Sequence, residues 1–172
     1  MPLKVLALLF AVVGGLAVGT QPLLNGALGR TRGLFEAVFV SVAVSYAGVV
    51  LLLAVQAGRG LPLGLPFSSR SAIAMAGALG LVVLTLALVG RDIAPWYFSA
   101  GLLGLVVLLA SAFATPILGV GVTTAALTAG QLGVAIIWDQ VGVLGLPEVP
   151  VSPQRILGML LVIAGVVLIR GL

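Results

Sequence analysis

The segment SAIAMAGALGLVVLTLALVG, Ser71–Gly90, decides the fold. It carries no charge and is bounded by Arg70 on one side and Arg91-Asp92 on the other. An α-helix needs about 20 predominantly apolar residues to cross about 30 Å of hydrocarbon, so length and hydropathy predict that this segment spans a membrane. The surrounding composition agrees: 62% of the 172 residues are hydrophobic and 7% are charged, where a soluble domain carries about a quarter charged residues.

Working outward, apolar stretches that read as spans lie at about 3–28, 34–57, 71–90, 96–118, 120–138 and 155–170, the last of them short. They predict an all-α polytopic transmembrane bundle of six spans, forming one transmembrane domain over residues 1–172. The alternative is five spans, with 71–90 re-entrant or lying along the interface. The opening Met1-Pro2-Leu3-Lys4 could imitate a secretory signal, but the apolar run continues to Leu28 and reads as an uncleaved first span. Arg59 to Arg70, with Pro62 and Pro66, is the clearest loop.

The eight Lys and Arg are scattered singly between apolar runs, the pattern of loop charge at a membrane surface and not of a nucleic-acid footprint. Six spans place Lys4, Arg59, Arg70 and Arg170 on one side and Arg30, Arg32, Arg91 and Arg155 on the other. Equal numbers give no orientation bias and permit insertion both ways round, hence an antiparallel homodimer in the lipid bilayer. The chain has no Cys and no His, which removes thiolate chemistry, disulfides, His proton relays and most zinc sites. With no Gly-x-Ser-x-Gly elbow and no Gly-Lys-Ser/Thr phosphate loop, an enzyme, a cofactor and a resident metal are not expected.

Two polar stretches stand out against this background. Gln21 and Asn25, four residues apart, share a helix face, and Pro22 between them removes a backbone donor and is expected to kink the helix. In the fifth apolar run Thr124, Thr128, Gln131 and Trp138 recur at helical spacing, and a mid-span Gln amide must find a partner. That partner is either a neighbouring helix or a solute; the expected site sets Gln21 and Asn25 against Gln131 and Thr128 as opposing walls. Simple rise per residue offsets the two in depth, with Gln21 nearer the Arg30 end. Val38, Ser41, Ser45 and Gly48 form a small, hydroxylated stripe that either packs or faces a wet cavity. Tyr46 or Trp96 could offer a face to a cation. Glu36 and Asp139 abut helix cores and are the candidates for proton or cation coupling; six spans put them on one side of the membrane.

A resemblance emerges from these residues. Gln21-Pro22-x-x-Asn25-Gly26-x-Leu28-Gly29, Ser45-Tyr46-x-Gly48, Pro95-Trp96-Tyr97 leading to Gly101-Leu102-Leu103-Gly104, Leu118-Gly119, Ala129-Gly130-Gln131-Leu132 and Asp139-x-x-Gly142 follow in order. Together they resemble the YdcZ-like branch of the drug/metabolite transporter superfamily. The resemblance implies a short inner-membrane protein, usually of five helices, working as paired half-transporters comparable to one ten-helix member. It marks Gln21, Asn25, Ser45, Tyr46, Gln131 and Asp139 as the carried-over pattern without assigning each a role. Ser71–Gly90 departs from it as an insertion that would make a sixth span. The expected function is secondary transport of a small polar or amphipathic metabolite or drug, cations included, by alternating access within a homodimer. A non-transporting assembly subunit and a passive channel are the alternatives.

Overall fold

The computed structural model describes residues 2–60 and 69–170; the expected loop at Pro62 and Pro66 lies outside the described residues. Six α-helices are described: α1 (Leu3–Arg32), α2 (Leu34–Gly58), α3 (Ser69–Val89), α4 (Ser99–Leu118), α5 (Val120–Val141) and α6 (Pro153–Arg170). Five apolar helical stretches are long enough to cross a membrane, among them Ala72–Asp92, while the apolar part of α6, Pro153–Gly165, is shorter. The decisive segment is therefore a helix of spanning length.

Helix directions follow from the residues that meet. Gly15 and Gly19 of α1 meet Gly130 and Val134 of α5, so these two helices run parallel; Gly101 and Leu105 of α4 meet Val44 and Gly48 of α2, likewise parallel. Gly14 meets Ala110, whereas Gln21 approaches Gly104, which makes α1 and α4 antiparallel. Val50 to Ala57 of α2 share one groove with Ala72 to Leu79 of α3, and Phe35 to Tyr46 share another with Ala78 to Val82, so α3 runs antiparallel to α2. The helices thus alternate in direction along the chain. One end of the bundle carries Lys4, Arg59, Arg70 and Arg170; the other carries Arg30, Arg32, Arg91 and Arg155 together with all four acids, Glu36, Asp92, Asp139 and Glu148.

Small residues bring the central helices together, as expected where lipid is as apolar as any side chain and close backbone approach supplies the attraction. One core cluster is Ala7, Ala11, Ala114 and Ala126 at the Lys4 end; the other is Leu28, Ala37, Val40 and Ile93 at the Arg30 end. Helix α3 lies at the periphery against α2, with large apolar side chains such as Ile73, Leu84 and Leu88 turned outward. Two junctions consist of one residue each: Gly33 (φ 97°, ψ 157°) between α1 and α2, and Gly119 (φ 82°, ψ 160°) between α4 and α5. That backbone region is essentially closed to residues with a Cβ, and glycine lets each helix reverse without a loop.

Candidate functional site

A groove opens between α1 and α5 toward the Arg30 end. Its volume is about 330 Å³, and its walls are Gly19, Pro22 and Leu23 of α1 and Gln131, Leu132, Ala135, Trp138 and Asp139 of α5, with Leu146 and Pro147 of the α5–α6 connection across its mouth. Helix α1 continues through Pro22 as one 30-residue helix. The proline nitrogen cannot bond the Val18 carbonyl, so one backbone acceptor is freed beside the groove. Trp138 donates its indole N–H to Thr20 Oγ1 at 3.0 Å, which ties the two walls together above the mouth.

The connection that supplies Leu146 and Pro147 to the groove is strapped down at several points. Gly142 ends α5 in the left-handed conformation, and Leu144 (φ 58°) and Gly145 (φ 71°) hold positive φ as well. Leu144 is the only described non-glycine residue with positive φ, a conformation that costs a residue with a Cβ about 1–2 kcal/mol. The tie from α1 is Arg30, whose guanidinium donates to the Gly145 carbonyl. Arg155, in the first turn of α6, pairs with the Asp139 carboxylate and also donates to the Val149 carbonyl at 3.1 Å. Val149 N–H returns to the Asp139 carbonyl at 2.8 Å, and Val151 N–H bonds Gln140 Oε1 at 2.8 Å. Asp139 is thus both a groove wall and the anchor of the strap.

The expected residues fall into two places. Gln131, Pro22 and Asp139 line the groove. Gln21 lies on the other side of α1, in a seam with α2 and α4, where its Nε2 reaches Ser41 Oγ at 3.3 Å. In the same seam the Ser45 hydroxyl is directed at two carbonyls, Ser41 O at 3.0 Å and Gly101 O at 2.7 Å. Asn25, one turn beyond Gln21 on the same face, keeps a buried Oδ1 with no hydrogen-bond partner among the described residues. The structure therefore does not bring Gln21 and Gln131 together as facing walls: α1 itself stands between them. Thr128 is half-buried on α5 and is not among the groove's lining residues. Tyr46 faces an apolar cleft between α2 and α3, with Phe39 and Leu81. Trp96 is exposed, its ring 6.0 Å from that of Tyr97. Glu36 sits at the same end as Asp139 but pairs with Arg32 at 3.2 Å, one helical turn away.

Sequence reasoning missed the roles of Arg155, Arg30 and the Leu146-Pro147 lip. Arg155 read only as a span boundary, and its pairing with Asp139 depends on how the connection between them folds back.

Fold and groove define a polytopic helical membrane protein with a solute-sized cleft between α1 and α5. The chain belongs to the family described as "Putative inner membrane exporter, YdcZ", whose model matches residues 6–92 and 90–168. It is accordingly a multi-pass inner-membrane protein of an exporter family. No curated protein and no solved structure matches it.

Proposed function

We propose that this protein is a secondary exporter that takes a small polar or amphipathic solute, preferentially a cation, into the α1–α5 groove and moves it by alternating access. The groove itself carries the reading: about 330 Å³ of mostly apolar wall, with the Gln131 amide and the Asp139 carboxylate as its polar fixtures. Such a cleft suits an amphipathic ligand, with apolar surface for bulk and a few placed polar groups for orientation. The carboxylate favours positive charge, and its tie to Arg155 gives it a resting partner that a solute cation must displace.

Gln21, Asn25 and Ser45 act from the seam side of α1. The buried, unpartnered Asn25 oxygen is an acceptor that a donor could satisfy only once the seam parts, and Glu36 is the weaker coupling candidate because Arg32 already neutralises it. A homodimer, parallel or antiparallel, remains the arrangement expected from half-transporter kinship. The bond from Gln21 to Ser41 favours the competing reading of a packed accessory subunit. Efflux from proteoliposomes decides between them. With a panel of small organic cations and neutral polar metabolites, Gln131→Ala and Asp139→Asn should each lower the rate about fivefold or more, the worth of one hydrogen bond to a solute. Wild-type rates in both variants, or no efflux of any panel member, would remove the exporter reading.

A further inference from the structure

Exchanging each residue with the one 86 positions away carries one half of the described chain onto the other. The one-residue junctions Gly33 and Gly119 are that distance apart and share nearly the same backbone angles. The two core clusters interchange: Ala7, Ala114 and Ala126 correspond to Ile93, Leu28 and Val40. Their flanking residues follow, Ala11 and Val12 corresponding to Tyr97 and Phe98. Close approaches between helices obey the same shift. Gly15 against Gly130 becomes Gly101 against Val44, and Gly19 against Val134 becomes Leu105 against Gly48. The contact of α1 with α5 becomes that of α4 with α2, the contact of α2 with α3 becomes that of α5 with α6, and the contact of α1 with α4 maps onto itself. Because α1 and α4 are antiparallel, the two halves are inverted relative to each other.

The halves differ where the groove lies. Applied to Gly19, Pro22, Gln131 and Ala135, the exchange gives Leu105, Leu108, Ser45 and Val49 in the α2–α4 seam. There the Ser45 hydroxyl bonds the Gly101 carbonyl across the interface at 2.7 Å, whereas its counterpart Gln131 lines the groove. The helices approach closely in both interfaces, a Cβ on Gly48 lying 2.7 Å from Leu105 Cδ2 and one on Gly19 closer still to Val134 Cγ1, so the difference lies at Ser45 against Gln131. One interface is therefore cleft at the Arg30 end, while its mate is shut at the Lys4 end.

We propose that α1–α3 and α4–α6 are inverted halves of one alternating-access unit, with the seam at Ser45, Val49, Leu105 and Leu108 as the second solute gate. It opens toward the Lys4 end as the α1–α5 groove closes. An inverted pair that adopts unequal conformations yields the opposite-facing state when the halves exchange them. The inference rests on the exporter reading of the groove and adds that both halves reside in one chain, so a partner copy is not needed to supply the second.

The chain has no cysteine, so single-cysteine reporters can be placed in the full-length protein without background. Ala135→Cys reports on the groove and Val49→Cys on its mate, each read as its N-ethylmaleimide reaction rate in detergent-purified protein, which needs neither a solute nor a known orientation. Gly48→Leu wedges the seam open; Gly48→Ala is the gentler version, because it meets only the far end of the Leu105 side chain. The proposal expects the Val49→Cys rate to rise about threefold or more and the Ala135→Cys rate to fall by a similar factor, with smaller changes of the same signs for Gly48→Ala. A merely loosened bundle would raise both rates. Rates that rise together, or a seam that opens with no response in the groove, would overturn it. Loss of reciprocity with efflux intact removes the inverted-halves proposal alone, whereas reciprocity without efflux removes the exporter reading.

Discussion

Substitution of Gly15 by Ala probes a close backbone-to-backbone approach of α1 and α5. A Cβ there would overlap the Leu127 carbonyl oxygen and lie 2.9 Å from Gly130 Cα and 3.0 Å from the Gln131 nitrogen. All three obstacles are backbone, so no rotamer change relieves them, and α1 and α5 must separate along the wall that carries Gln131. Overpacking of this kind costs about 1–3 kcal/mol. For a chain of this size that is a fall of about 2–12 °C in Tm. Gly26→Ala is the internal control: nothing lies within 4 Å of its Cβ position, and replacing a mid-helix glycine by alanine gains about 0.5–1 kcal/mol. Thermal unfolding of both variants in one detergent, followed by circular dichroism at 222 nm, gives the comparison. The reasoning fails if Gly15→Ala melts with the wild type, or if Gly26→Ala is destabilised as much.

Gly33→Ala and Gly119→Ala should each lose on the order of 1–3 kcal/mol, and by equal amounts within error, because both junctions hold the same glycine-only backbone angles; unequal melting would break the equivalence. Ser45→Ala removes the hydroxyl that bridges α2 to Gly101 and should cost only about 0.6 kcal/mol, the mean for hydrogen bonds between membrane helices, as read by denaturant titration in mixed micelles.

The helices were legible because hydropathy and charge boundaries mark spans directly, and Ser71–Gly90 falls where those signals put it. Which face each helix turns inward was not. In a membrane the core and the surroundings are both apolar, so periodicity has little contrast to work with. The amides of Gln21 and Gln131 could be recognised as costly but not assigned to sides of α1. The tie between Asp139 and Arg155 depends on how the connection after Gly142 folds back, and neither residue's own helix announces it. The inverted relation is hidden for a different reason: matching positions share burial and contact partners more than size or identity. Gly15 and Gly101 coincide, but Ala114 answers to Leu28 and Gln131 to Ser45.

The junctions at Gly33 and Gly119 also bear on how the chain enters its membrane. A hairpin closed by one residue has no hydrophilic segment to be carried across, so its two helices partition as a unit and the charges beside the turn set the load. At the first turn these are Arg30, Arg32 and Glu36, the last two already paired at 3.2 Å. At the second there are none: from Ile93 to Trp138 the sequence contains no charged residue. The α4–α5 hairpin therefore carries charge only at its base, at Arg91-Asp92 and Asp139, and its tip has none to desolvate whichever way it inserts.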